Sequence, residues 1–212
     1  MSQALKIPRQ VRSREARERI LSTALTLLED QGYPYVTVNN ICRQAGISTG
    51  SFYHHFGGKD ELLAHYYAAA YEKYAAQFND VCDRDIVKTL VGIYELHAAF
   101  CRELGVDFMR GFYSPMNKGL SSRPGPDSGA AVNRPLLDKT GEQISLAKER
   151  DYIPPSVEPR ELAMELCMIS KSCVCEWCLC DGMLNLEGHT CKMITTYMQG
   201  VVTRAYREEY LA

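Results

Sequence analysis

The chain has 212 residues, 46% hydrophobic and 24% charged, with a net charge of −2. That is enough chain and enough apolar side chain for a buried core, and it excludes a disordered or fibrous polypeptide. No run of 18 apolar residues occurs, and the first ten positions lack an apolar signal core, so a cytoplasmic protein with no membrane partner is expected.

Charge is uneven along the chain. Residues 1–19 hold six basic side chains (Lys6, Arg9, Arg12, Arg14, Arg17 and Arg19) against Glu15 and Glu18, a net +4 that leaves −6 on the remainder. A basic arm on an acidic body fits phosphate-backbone binding, and a solvated charged tail is the alternative. The arm up to about Val11 is expected to be unstructured without a partner. A first helix is predicted over Arg14 to Gln31, with Ser13 as its candidate N-cap. Ile20, Ala24, Leu27 and Leu28 fall at i, i+4, i+7 and i+8, a broad apolar stripe. Gly32 ends this helix, and Tyr33-Pro34 demands an extended link.

Residues 37–56, TVNNICRQAGISTGSFYHHF, read as two short helices joined by a tight turn. Thr37 can cap the first, and Ile41 and Ala45 share one face. Gly46 stands where a chain leaves a helix in the left-handed conformation. Ser48 caps the second helix, where Phe52 and Phe56 point inward. The outward and N-terminal residues of that helix are Ser48, Thr49, Gly50, Ser51, Tyr53, His54 and His55, none of them a large aliphatic side chain. Two helices and a turn of this kind make a helix-turn-helix, whose second helix can enter the major groove of DNA; a surface helical hairpin is the alternative. Thr49 and Ser51 suit base edges, Gly50 a close backbone approach, and Tyr53 and His54 phosphate oxygens. Thr37 and Asn39 complete the candidate DNA-contacting set on the first of the two helices. A fourth helix is expected from Gly58 or Lys59 to Asn79, and Lys59 in its first turn, beside free N–H groups, suits a phosphate.

The run GISTGSFYHHFGGKDEL, residues 46–62, resembles the signature of the TetR family of bacterial transcriptional repressors. The resemblance is close over residues 10–65; beyond them it extends only to an all-helical layout of the right length. It implies an all-α fold with residues 1–57 as the DNA-binding domain and its basic arm, and residues 58–212 as a helical ligand-binding and dimerisation domain. It also implies a homodimer formed through the last two helices, a pseudo-palindromic double-stranded operator, a small-molecule inducer, and the fourth helix as the lever between domains. Many members carry a basic residue where this chain has Thr49, so base readout there is of another kind.

Helices are then predicted over Ile86 to Glu103 and Val106 to Ser114. By the same resemblance His97, Phe100, Phe108, Met109, Phe112, Tyr113 and Met116 are candidate inducer contacts, with plain core packing as the alternative. Residues 117–133, rich in Gly, Ser and Pro, read as a loop. A helix from Pro135 to Glu149 follows, and Pro159 opens another that is expected to reach Met183. This last helix carries Cys167, Cys173, Cys175, Cys178 and Cys180 on two opposed apolar faces, so it is expected to be buried on both sides. Nine cysteines, an odd number in a chain this long, read as reduced thiols. A zinc or redox site at the C-x-x-C pair Cys175 and Cys178 is the sharper alternative, but the pair lies mid-helix, so no metal or cofactor is assigned. The final helix is predicted over Leu186 to Glu209.

Three functions remain open: a ligand-released DNA-binding repressor, a thiol- or metal-sensing regulator built on the same DNA module, and an all-α enzyme or carrier. Against the third, the chain shows no Gly-rich phosphate loop, no H-E-x-x-H and no nucleophile elbow.

Overall fold

The computed structural model describes residues 9–114, 117, 120 and 133–211, and every regular element among them is helical. In chain order they are α1 (Arg9–Gln31), α2 (Val38–Ala45), α3 (Thr49–His55), α4 (Lys59–Ala75), α5 (Ile86–Leu104), α6 (Val106–Phe112), α7 (Arg134–Glu149), α8 (Pro159–Leu179), α9 (Leu186–Val201) and α10 (Arg204–Tyr210). Single 3₁₀ turns lie at Tyr33–Tyr35 and Ala76–Asn79. None of the described helices is long and apolar enough to cross a membrane. Packing divides the chain into two compact units, residues 1–66 and 67–212, and the division falls within α4. The sequence-based boundary at 57/58 marks where that helix starts.

In the first unit α1 buries Ile20, Ala24 and Leu27 at the predicted spacing. It begins at Arg9, so Ser13 lies inside the helix and does not cap it, and the chain is already helical before Val11. The expected arm before Arg9 lies outside the described residues. α2 and α3 are too short to persist alone, and their order comes from burying Ile41, Ala45 and Phe52 with Val36, Phe56, Leu62 and Leu63.

In the second unit α5 lies along α9, and α8 is flanked by α7 and α9. Ile86, Leu90, Ile93, Leu136, Ile144, Leu162, Leu166, Ile194 and Met198 fill the core. α5 hands over to α6 through Gly105, whose φ of 86° is disfavoured for a residue with a Cβ. Several expected boundaries move, and α6 stops at Phe112 and not at Ser114. The 3₁₀ turn takes over from α4 at Ala76, α8 stops at Leu179 and not at Met183, and the predicted last helix is two helices. The break falls at Val202–Thr203. There the Thr203 backbone N–H donates to the Tyr152 carbonyl (3.0 Å), and its hydroxyl donates to the Asp151 carbonyl (2.6 Å) and also caps α10. Most of the loop read at 117–133, with Met116, lies outside the described residues.

Candidate functional site

Local hydrogen bonds set where the helices of the helix-turn-helix start and stop, and packing holds them there. The Thr37 hydroxyl accepts from the Asn40 backbone N–H at 3.2 Å and starts α2. Asn40 donates its side-chain amide to the Tyr35 carbonyl (2.9 Å) and accepts from Arg43 (3.1 Å). Gly46 leaves α2 at φ 65° and ψ 39°, the left-handed conformation, and the Ile47 N–H closes on the Cys42 carbonyl at 3.0 Å. Ser48 then accepts from the Ser51 N–H at 3.1 Å, which starts α3. Within α3, Phe52 is wholly buried and meets the Tyr53 ring edge-on at 5.5 Å and the Phe56 ring at 5.9 Å.

This packing turns the other side of α3 outward. Ser48, Thr49, Gly50, Tyr53 and His54 are exposed, Tyr53 to 58%, so its hydroxyl end is free to reach a partner. Ser51 is half-buried, which makes Thr49 the more accessible of the two candidate base readers. A Cβ built on Gly50 would meet only the Ser48 hydroxyl, at 3.9 Å, so the surface there is open. Thr37 and Asn39 are exposed on the N-terminal turn of α2. His55 is half-buried, and its pKa is lowered first by desolvation and then by the charges of His54 and Arg17. That keeps its neutral form favoured.

Lys59 opens α4 as predicted, but its ammonium is folded onto the Tyr33 ring, 3.5 Å from the centroid and 3.5 Å from the Tyr33 carbonyl oxygen. Partial burial lowers its pKa, opposed by Asp60. Such a contact is worth about 0.5–1 kcal/mol where water is near, so a phosphate can compete for the lysine. Sequence spacing gave no hint of this seat, because Tyr33 and Lys59 are 26 residues apart. It equally missed the seat of Arg17, a residue of the predicted first helix, whose guanidinium lies 5.0 Å from the Phe56 ring centroid.

In the second unit, His97, Phe100, Phe108, Met109 and Phe112 are all buried. They form part of a ring-on-ring interior: Tyr67 stacks on Phe112 at 4.5 Å, Phe108 on Phe112 at 5.4 Å, and Phe100 meets Tyr71 at 5.0 Å. Burial first, and then the charge of Lys171, lower the His97 pKa to about 4, so the imidazole is neutral at pH 7. Tyr113 has its hydroxyl 3.5 Å from His97 Nε2 and also lines a cavity of about 240 Å³ with Arg110, Cys175, Cys178, Leu179 and Asp181. Cys178 is buried and its thiol is pushed up to about 11, chiefly by desolvation, which disfavours the reactive thiolate; Cys175 is exposed. Among the described residues no group of three or more His, Cys, Asp or Glu side chains is arranged to hold a metal ion.

Residues 20–66 match the family model described as bacterial regulatory proteins, tetR family. The HTH-type transcriptional regulator HbdR of Aromatoleum sp. is 45% identical over 49 residues, 23% of this chain and 21% of that protein. LmrA of Bacillus subtilis, an HTH-type transcriptional regulator, is 34% identical over 94 residues, 44% of this chain and 48% of that protein. The chain spans less than half the length of the curated relatives it matches. Among solved structures, that of the Thermus thermophilus repressor FadR in complex with lauroyl-CoA superposes with a TM-score of 0.69 at 18% identity, covering 86% of this chain and 93% of that one. At that identity the likeness speaks for the fold alone.

Proposed function

This chain is a TetR-family protein through its N-terminal module, and from that premise we propose that it is a dimeric, effector-responsive regulator of transcription that represses by binding a pseudo-palindromic DNA operator. The observation that carries this reading is the pose of α3: a buried phenylalanine on one side, and capped, exposed hydroxyl, phenol and imidazole groups on the other. Two such helices in a dimer would read half-sites about 34–36 Å apart. A dimer face is available on α8 and α9, where Met168, Leu179, Met193 and Tyr197 leave between 36% and 73% of their surface exposed. FadR's structure holds lauroyl-CoA, and by analogy the second unit here takes a small-molecule effector. That molecule would lower DNA affinity by binding better to a dimer whose recognition helices are wrongly spaced.

The test is sequence selection from a random DNA pool, followed by titration of the selected duplex at several salt concentrations. Lys59→Ala is expected to weaken all duplexes alike and to reduce the salt slope by about one counterion. Thr49→Ala is expected to leave that slope alone and relax preference at one base position, by about 1–3 kcal/mol. A wild-type protein that selects no sequence, or that sediments as a monomer at micromolar concentration, would end this reading.

A further inference from the structure

The interior of residues 67–212 contains polar groups that its packing leaves unanswered. Among the described residues, the Tyr71, Ser170 and Thr190 hydroxyls and the Asn133 side-chain nitrogen have no hydrogen-bond partner, although Tyr71, Ser170 and Thr190 are wholly buried and Asn133 is 1% exposed. Buried polar atoms are nearly always satisfied, since stranding one destabilises the fold. Four in one interior therefore call for something that occupies them.

Tyr71 and Asn133 meet through Tyr67, and Cys167, whose thiol acts on the Tyr67 and Tyr71 phenols, carries the region to α8; the fourth, Thr190 on α9, lies against Cys173 instead. Tyr67, one turn before Tyr71, stacks on it at 5.6 Å, and its hydroxyl lies 3.3 Å from Asn133 Oδ1. The Tyr71 ring faces His97 at 5.5 Å, and His97 in turn stands 3.7 Å from the Cys101 sulfur. Ser170 is one turn from Cys167 on α8 and beside Lys171, whose charge is felt at His97 and whose ammonium donates to the Leu120 carbonyl.

The unanswered groups share a sign. A primary amide nitrogen only donates, and a hydroxyl donates readily to a stronger acceptor. The surrounding rings offer flat apolar contact, and Lys171 adds positive potential that disfavours a cationic guest. We propose that this region receives the acceptor end of a small effector: a flat apolar molecule bearing a carbonyl or carboxylate oxygen, to which Tyr71, Asn133 and Ser170 donate. The inference rests on the reading that the second unit takes an effector, and it specifies what that effector must carry.

A matched panel tests it: benzoate, benzamide, toluene and benzylammonium, titrated calorimetrically into the full chain. Benzoate and benzamide are expected to bind at least about tenfold more tightly than toluene and benzylammonium. The ratio between benzoate and benzamide tells an anionic acceptor from a neutral one. Tyr71→Phe and Ser170→Ala are each expected to raise the melting temperature of the free protein, to weaken benzoate or benzamide by about tenfold, and to leave toluene unchanged. Equal binding of toluene and the carbonyl compounds overturns the proposal. So does the absence of binding by either carbonyl compound at millimolar concentration, or a lowered melting temperature in both variants, which would mean that the hydroxyls are satisfied in solution by water. Release of operator DNA is read separately. Carbonyl binding that Tyr71→Phe weakens but that does not release DNA upholds the site and removes the effector reading. Release by toluene alone keeps the effector reading and overturns the acceptor.

Discussion

Phe52→Ala is expected to abolish operator binding and to unfold the helix-turn-helix while the second unit stays folded. Phe52 is wholly buried and contacts the rings of Tyr53 and Phe56. Removing a buried phenylalanine ring costs about 3–5 kcal/mol. That approaches the entire stability of a unit of some sixty residues, which buries a smaller share of its surface than a larger domain does. α3 has no reserve, because seven residues cannot hold a helix by backbone hydrogen bonds alone. Its N-cap at Ser48 and the left-handed Gly46 that ends α2 direct the chain but contribute only about 1 kcal/mol each. Hydrogen exchange read by mass spectrometry checks the result. Amides of residues 37–56 should lose protection, and those of α5 and α8 should keep it. Tyr53→Phe is the control: exposed to 58%, Tyr53 should cost little stability when its hydroxyl goes. If Phe52→Ala retains exchange protection across residues 37–56 and binds operator within tenfold of wild type, then Phe52 does not hold α3 in place.

What could be read from the chain in advance follows the range of the interactions involved. Thr37, Gly46 and Ser48 act within three to five residues of themselves, so their roles were visible as spacing and are present as hydrogen bonds and a left-handed φ. Ser13 misled for the same local reason: a serine looks like a cap, but inside α1 it costs only a few tenths of a kcal/mol, and the chain before it continues as helix. The break between α9 and α10 contains neither glycine nor proline. It is made by Thr203 bonding to Asp151 and Tyr152, some fifty residues away, and a threonine after two valines is only a weak warning. Lys59 on Tyr33 and Arg17 on Phe56 are likewise contacts across the module.

The second unit exposes a different limit. A stripe such as Phe100, Phe108 and Phe112 reads the same whether the rings face a cavity or one another, since burial selects apolar side chains in either case. The polar atoms that break this pattern were hidden by it. Nothing in the spacing sets Tyr71 or Ser170 apart from the apolar residues around them, and Asn133 closes the stretch read as a loop. Only three-dimensional packing reveals which polar atoms found partners.

The second large effect is expected at Asp85, where one carboxylate oxygen closes two parts of the larger unit. Asp85 Oδ1 accepts from the Val87 and Lys88 N–H groups at 2.9 and 3.1 Å, which starts α5, and also from the Tyr206 hydroxyl at 2.6 Å, which pins α10. Tyr206 is 1% exposed and packs against the rings of Tyr152 at 5.8 Å and Tyr210 at 5.0 Å. Asp85→Ala therefore removes a helix cap, worth about 1 kcal/mol, and strands a buried phenol, which costs about 1–3 kcal/mol more. The expected loss is about 2–4 kcal/mol, read as a shift of the denaturant midpoint at constant slope. Tyr206→Phe leaves the cap in place and strands nothing, so it should cost only about 0.5–1.5 kcal/mol. The double variant should then cost less than the two single losses combined, because the phenol that Asp85→Ala strands is absent from it. If Asp85→Ala costs no more than an ordinary exposed cap, or if the losses add without coupling, the carboxylate does not join the start of α5 to α10.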